Sequence, residues 1–256
     1  MPNRSKPALQ KADMLLIITG GIGFLVWGDI GTHKHRIRRY SLQSKVVLMT
    51  SAVLIVLPAL YFFFFEYDHW TIHDRTIHSL FQSVTTRTAG FNTTDLAAMD
   101  ESGTAIMVIL MLIGGSPGST AGGMKTTTFA VLLLSAITVF SRRNDVQCFK
   151  RRISDETVSS AGAVLFMYLV LFFTSGVIIS RVENLPLLTC LFETSSAIGT
   201  VGLSLGITSG LYAVSRVILM ILMFFGRVGG LTLIYAALPS ADSQNSRLPL
   251  EKISVG

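Results

Sequence analysis

The sequence predicts an all-α integral membrane protein assembled from repeated helix–short helix–helix units. Three observations carry that prediction. Half of the 256 residues are hydrophobic, only 14% are charged, and the mean hydropathy is +0.57. A soluble domain usually carries about a quarter charged residues. Apolar runs of near-spanning length recur along the chain, with basic clusters between them. A short apolar piece ending in Thr-x-Gly occurs twice, each time behind a long apolar run.

The elements follow in order. The first apolar segment covers about 13–30 and carries Trp27, an interfacial anchor, near its end. The second is 46–65, VVLMTSAVLIVLPALYFFFF. The third, about 105–140, is interrupted in its middle, the fourth is about 160–180 and the fifth about 212–238. A spanning helix needs about 20 mostly apolar residues, which the second, fourth and fifth supply directly. The net charge of +6 does not point to nucleic acid, because of where it lies. Lys34, Arg36, Arg38, Arg39 and Lys45 form one cluster, and Arg142, Arg143, Lys150, Arg151 and Arg152 a second, each beside an apolar segment. The positive-inside rule puts both in the cytoplasm. The stretch 66–101, with Arg75 and Arg87 against six acidic residues, is then external. The N-terminal tail would also be external, although it carries Arg4, Lys6 and Lys11.

The repeated piece reads IHSLFQSVTTRTAGFNT after the second segment and LLTCLFETSSAIGTVGLS after the fourth. Both hold Leu-Phe, a short helix-like stretch, and Thr-x-Gly before a large apolar residue. Non-helical backbone is tolerated at membrane depth only where it is buried in protein or lines a water-filled path. Glycine permits conformations that turn carbonyl oxygens toward an axis, and rings of such oxygens replace the hydration shell of K⁺ in TVGYG filters. The candidate filter residues are therefore Thr88, Ala89, Gly90 and Phe91, and Thr200, Val201, Gly202 and Leu203, with K⁺ bound through backbone carbonyls. Gly-rich turns between packed helices are the plainer alternative.

The interruption of the third segment is IGGSPGSTAGGMKTTTF, residues 113–129. Its glycines and proline break a helix. The run Gly114, Gly115, Ser116, Gly118, Ser119, Thr120, Gly122 and Gly123, with Lys125 at its lower edge, reads as a plug under the first Thr-x-Gly loop. A charge at that depth is by default functional; the alternative is a kinked packing helix whose lysine snorkels. Phe225-Gly226-Arg227-Val228-Gly229-Gly230 places an arginine inside the fifth segment. Arg227 would pair with carbonyls or hydroxyls of the 114–123 run, or else snorkel to the interface. Glu193 either braces its loop or is an exposed acid at the outer mouth. Gly118 to Thr126 nearly matches a phosphate-binding loop, but Met124 is one residue too many and no strand precedes it. His69, His73 and His78 lack a metal pattern, and Cys148 and Cys190 read as inert or buried thiols. With no nucleophile–base pair or metal cluster, the residues do not describe an enzyme.

Taken together and in order, SVTTRTAGFNT, IGGSPGSTAGGMKTTTF, SAIGTVGLSLG and FFGRVGGLTL resemble the Trk/Ktr/HKT superfamily of potassium transporters, most closely its KtrB-like membrane subunits. The resemblance covers the chain from about residue 13. It implies four helix–pore helix–helix units around a pseudo-fourfold, potassium-channel-like pore, with Gly90 and Gly202 as filter glycines of the third and fourth units. It also implies that 114–123 is an intramembrane gating loop to which Arg227 contributes. Further implications are K⁺ conduction, in some members with Na⁺, a cytosolic nucleotide-binding regulatory subunit, and a homodimer in membrane lipid.

On that frame the chain is incomplete at the N-terminus. Residues 1–45 hold the tail, the closing helix of a second unit and a basic loop. Residues 46–140 are the third unit, 141–157 a cytoplasmic basic loop, 158–240 the fourth unit and 241–256 a cytoplasmic tail. The function expected is potassium uptake across the cell membrane through a carbonyl-lined filter. A non-conducting C-terminal fragment or assembly partner of a full-length transporter is the alternative. A secondary transporter with a midplane solute site would need charged partners in the broken segment, which offers mainly Gly, Ser and Thr.

Overall fold

The computed structural model describes residues 7–34, 36–143 and 145–229. These residues form nine α-helices and one two-stranded hairpin. The helices are α1 (Pro7–Ile22), α2 (Phe24–His33), α3 (Leu42–Tyr61), α4 (Ile72–Thr85), α5 (Glu101–Leu112), α6 (Thr126–Phe140), α7 (Asp155–Glu183), α8 (Leu187–Ile198) and α9 (Ala213–Val228). The hairpin pairs β1 (Gln147–Cys148) with β2 (Arg151–Arg152).

Among the described residues two continuous helices are long and apolar enough to cross a bilayer: Leu42–Glu66, which is α3 with a π-helical extension, and α7. They cover the second and fourth apolar segments. Pro58 inside α3 removes a backbone donor shortly before that extension, where the ladder widens so that the Tyr67 amide reaches the Phe62 carbonyl. The first segment differs from its sequence reading as one run. It breaks at Gly23, and α1 and α2 meet at 91°. The cause is a close approach. Gly23 has φ +91°, and a side chain there would press on the Pro117 carbonyl oxygen. The fifth segment is described only through α9, so Gly230, the segment's end and the 241–256 tail lie outside the described residues.

Two short helices follow the two long ones. Helix α4 starts at Thr71, whose hydroxyl accepts from the Asp74 amide. Helix α7 stops at Asn184 in the left-handed conformation, and Pro186 then opens α8. Both α4 and α8 are buried along their C-terminal halves, including Phe81, Gln82 and Ser83 of α4 and Phe192, Glu193, Thr194 and Ser195 of α8. Helix α8 packs against α5, α7 and α9, while α4 packs against α1 and α3. Lipid tails give helices no hydrophobic drive to associate, so close van der Waals packing and hydrogen bonds must do it. The glycine-to-backbone contacts at the centre of this fold meet that requirement.

Candidate functional site

The two Thr-x-Gly loops leave the C-terminal ends of α4 and α8 in the same conformation. Thr88 has φ +61° and Thr200 φ +51°, and two residues on Gly90 has φ +74° and Gly202 φ +93°. A β-branched residue in the left-handed region is a genuine outlier, costing about 1–2 kcal/mol. Its presence at the matched position of both loops makes the pair a repeated device. Each loop is tied to its own helix. The Ala89 and Gly90 amides donate to the Thr85 carbonyl, and the Val201 amide donates to the Ser196 carbonyl at 2.8 Å. The Thr85 hydroxyl donates to the Phe91 carbonyl at 2.6 Å, and the Gly202 amide donates to the Ser196 hydroxyl at 3.2 Å. The loops also meet: a Cβ built on Gly90 would collide with the Val201 carbonyl oxygen and lie 3.2 Å from the Gly202 Cα. Ala89 and Gly90 are half-buried, Phe91 is exposed, and Val201 and Leu203 are buried around the exposed Gly202.

The run 114–123 packs against the base of the second loop. A Cβ on Gly122 would strike the Thr200 side chain, and one on Gly199 would strike the Met111 carbonyl. The run leaves α5 and rejoins α6 side by side. Ile113 and Met124 form a parallel bridge, the Gly114 amide donates to the Met124 carbonyl at 2.8 Å, and the Thr126 amide donates to the Gly115 carbonyl at 3.1 Å. The buried Ser116 and Thr126 hydroxyls share a hydrogen bond of 3.0 Å. Outside helices hold the rest. The Ser116 amide donates to the Gly21 carbonyl, the Phe24 amide to the Gly118 carbonyl, and the Gly123 amide to the Gly226 carbonyl. At the tip, Lys125 Nζ donates to the Ala121 carbonyl at 2.7 Å and Arg227 Nη1 to the Thr120 carbonyl. The first Thr-x-Gly loop and the tip of the 114–123 run border, with α1, a cleft of about 360 Å³, whose wall includes Thr88, Ala89, Phe91, Thr120 and Ala121.

Glu193 is buried and braces the chain beyond the second loop. Its Oε1 accepts from the Ser204 hydroxyl (2.7 Å) and the Leu205 amide (3.0 Å), and its Oε2 accepts from the Thr208 hydroxyl (2.9 Å). Among the described residues no three His, Cys, Asp or Glu side chains gather as metal ligands. His69 instead bonds Asp68 at 2.8 Å, which holds the Asp68 carboxyl below its usual range.

Comparison with known proteins identifies the family and the fold. The sequence profile of the family described as TrkH, cation transport protein, matches residues 2–246. The chain belongs to that family. The potassium/sodium uptake protein NtpJ of Enterococcus hirae is 36% identical over 94% of this chain and 56% of its own length. The Ktr system potassium uptake protein D of Bacillus subtilis is 38% identical over the whole of this chain and 59% of its own. The chain thus spans little more than half the length of these relatives. The crystal structure of the potassium transporter TrkH from Vibrio parahaemolyticus shares the fold, with a TM-score of 0.76 at 18% identity over 94% of this chain and 54% of that one. As a member of the TrkH family with this fold, the chain is a multi-pass membrane protein of a transporter family.

Within this TrkH-type fold, two polar residues of the first loop system escaped the sequence reading. Arg87, counted there only as an external charge, is 8% exposed and reaches α3, donating to the Ser51 hydroxyl at 3.2 Å. Gln82 is buried on α4 and accepts from the Thr94 hydroxyl at 3.3 Å. It stands one residue after Leu80-Phe81, as Glu193 stands after Leu191-Phe192, and each braces the chain beyond its loop. The shared Leu-Phe-acid/amide register was the signal available for Gln82.

Proposed function

We propose that this chain supplies part of a K⁺ uptake path across the membrane. Carbonyl oxygens of Thr88–Phe91 and Thr200–Leu203 would replace the ion's hydration shell, and the 114–123 run, tethered by Lys125 and Arg227, would close the path beneath them. The observation that carries this reading is the matched left-handed Thr and positive-φ Gly in two touching loops. Backbone strain of this kind persists where surroundings over-determine it, and it clusters at functional sites. The C-terminal ends of α4 and α8 both feed into these loops, and that end of a helix favours a cation. Relatives named for potassium or potassium/sodium uptake support K⁺ as cargo, with Na⁺ as a second transported or coupling ion.

The boundaries 46–140 and 158–240 would be two pore units of a pseudo-fourfold ring, with 1–45 closing a preceding unit. Two loops cannot ring an ion by themselves, so a conducting assembly needs further units. A second copy and a cytosolic nucleotide-binding regulatory subunit are the partners proposed. Two Bacillus subtilis relatives are named as proteins of a Ktr system. A second reading, favoured by the chain's spanning little more than half of its relatives, is a non-conducting piece that assembles with a longer transporter.

The test is Rb⁺ uptake into vesicles holding this chain alone, or this chain with the N-terminal half of the Bacillus subtilis relative. Uptake by the chain alone, abolished by Gly202→Asp, supports self-assembly into a pore. Uptake only with the added half supports the second reading. No uptake in either, with both proteins inserted, overturns the potassium path.

A further inference from the structure

We propose that the corner between α2 and α3 is a binding site for one anionic phospholipid. Residues Thr32, His33, Lys34, Arg36 and Arg39 line a pocket of about 390 Å³. Beside it, and sharing Lys34, lies an apolar cleft of about 400 Å³ lined by Ile30, Ile37, Tyr40 and Leu48. A pocket of cations joined to an apolar cleft matches a phosphate headgroup joined to an acyl chain. Basic pockets of this kind on the cytoplasmic side of spanning helices take anionic lipid headgroups.

The corner is built rather than loose. The Tyr40 hydroxyl donates to the Lys34 carbonyl at 2.5 Å, closing the loop, and the ring of Tyr40, itself only 6% exposed, meets His33 edge-on at 6.4 Å. The Arg36 and Arg39 amides donate to the His33 and Arg36 carbonyls, fixing the spacing of the cations. The nearby carboxylate, Asp29, offsets one positive charge but leaves Lys34, Arg36 and Arg39 in excess, and its Oδ2 is turned to the start of α3. Its Oδ2 accepts from the Ser41 amide and from the Ser41 and Ser44 hydroxyls at 2.9, 2.7 and 2.6 Å. His33, a half-buried residue of the pocket wall, has a buried Nδ1 with no hydrogen-bond partner among the described residues.

Depth points the same way. Ile37 is 63% exposed among Arg36, Arg38 and Arg39, an unfavourable place in water and a favourable one at a headgroup boundary. Leu48 lies six residues into α3, roughly 9 Å further along its axis at 1.5 Å per residue. The apolar cleft therefore runs from the basic loop toward the hydrocarbon.

The proposal is tested on the whole chain, purified in detergent with phosphatidylglycerol and phosphatidylcholine in equal amounts, by native mass spectrometry of retained lipid. One retained phosphatidylglycerol per chain is expected. The triple variant Lys34→Gln, Arg36→Gln, Arg39→Gln should weaken its retention on the order of a hundredfold. A control triple in the other basic loop, Arg142→Gln, Arg143→Gln, Arg151→Gln, should leave it unchanged; all six side chains are exposed, so both triples should fold. Leu48→Trp should displace phosphatidylglycerol while sparing inorganic phosphate. Equal loss in both triples, or equal retention of phosphatidylcholine, overturns the site. Displacement by millimolar inorganic phosphate together with indifference to Leu48→Trp would mean a free-anion site and overturn the lipid. Retention of a co-purifying protein in place of lipid, lost only in the first triple, would also overturn it.

Discussion

Arg227 donates a hydrogen bond to the carbonyl of Thr120, a residue 107 positions away, while Lys125 occupies the next carbonyl, that of Ala121. Two cations on adjacent carbonyls at the tip of one loop have two effects. They hold the tip, and in the path proposed above they would take oxygens that a passing K⁺ could otherwise coordinate. In an assembly that takes up Rb⁺, Arg227→Ala is expected to raise uptake about fivefold. That is the effect of losing about 1 kcal/mol, less than the roughly 1.5–3 kcal/mol of a buried bond to a charged group, because Arg227 is exposed. Arg227→Lys should fall between. Initial uptake rates at matched abundance decide it, and rates equal to the parent would remove Arg227 from control of the path.

Gly122 faces the Thr200 side chain so closely that any Cβ must displace it. Gly122→Ala is expected to destabilise the protein by about 1–3 kcal/mol, the usual cost of overpacking. The Thr200→Ala change removes the Oγ1 and Cγ2 atoms that would be struck. A double-mutant cycle on thermal unfolding should therefore show Thr200→Ala recovering part of the loss, with a coupling of at least about 0.5 kcal/mol. Additive losses would mean that the 114–123 run does not bear on the second loop.

The two loop glycines should not respond alike. Gly90→Ala drives a methyl into the Val201 carbonyl, whereas on Gly202 the nearest atom to a new Cβ is the Gly90 Cα at 3.9 Å, an ordinary contact. Both positions still demand positive φ, which costs an alanine about 1–2 kcal/mol. Gly90→Ala should therefore lower folded yield, while Gly202→Ala and Gly202→Ser should fold and lose K⁺ preference over Na⁺. Competition of Na⁺ with Rb⁺ uptake measures this. Unaltered competition in Gly202→Ser would take the loop out of the filter.

Much of this arrangement was legible in the chain because it is local. Gly and Pro within 113–124 announce a break whatever packs against it, and α4 and α8 follow from short apolar pieces ending in Thr-x-Gly. What could not be read is set by distant partners. ITGGIGFLVW continues an apolar run, and the 91° bend at Gly23 arises only because Pro117 and Gly118 come against it. Arg87 looks like one more external charge until Ser51, 36 residues earlier, is brought to its guanidinium. Glu193 stood between an exposed acid and a brace, and three donors from 204–208 decide for the brace.

Glu193 yields the last prediction. Its Oε1 serves the Ser204 hydroxyl and the Leu205 amide and its Oε2 the Thr208 hydroxyl; Glu193 itself is 4% exposed, Ser204 and Leu205 are half-buried and Thr208 is exposed. Glu193→Gln keeps one oxygen for the Leu205 amide, and the Thr208 hydroxyl can rotate to accept from the new amide. The cost should stay near 1 kcal/mol. Glu193→Ala leaves three polar groups without that partner, each costing about 1–3 kcal/mol when buried, less where water enters. It should unfold at clearly lower temperature and, in a conducting assembly, discriminate K⁺ from Na⁺ less well, since 203–208 directly continues the loop. Thermal unfolding read beside ion competition separates the two roles. If Glu193→Ala lowered stability and left discrimination intact, the brace would serve the fold and not the loop's geometry. If Glu193→Gln were as damaging as Glu193→Ala, the negative charge itself, and not the hydrogen bonds, would be what the site requires.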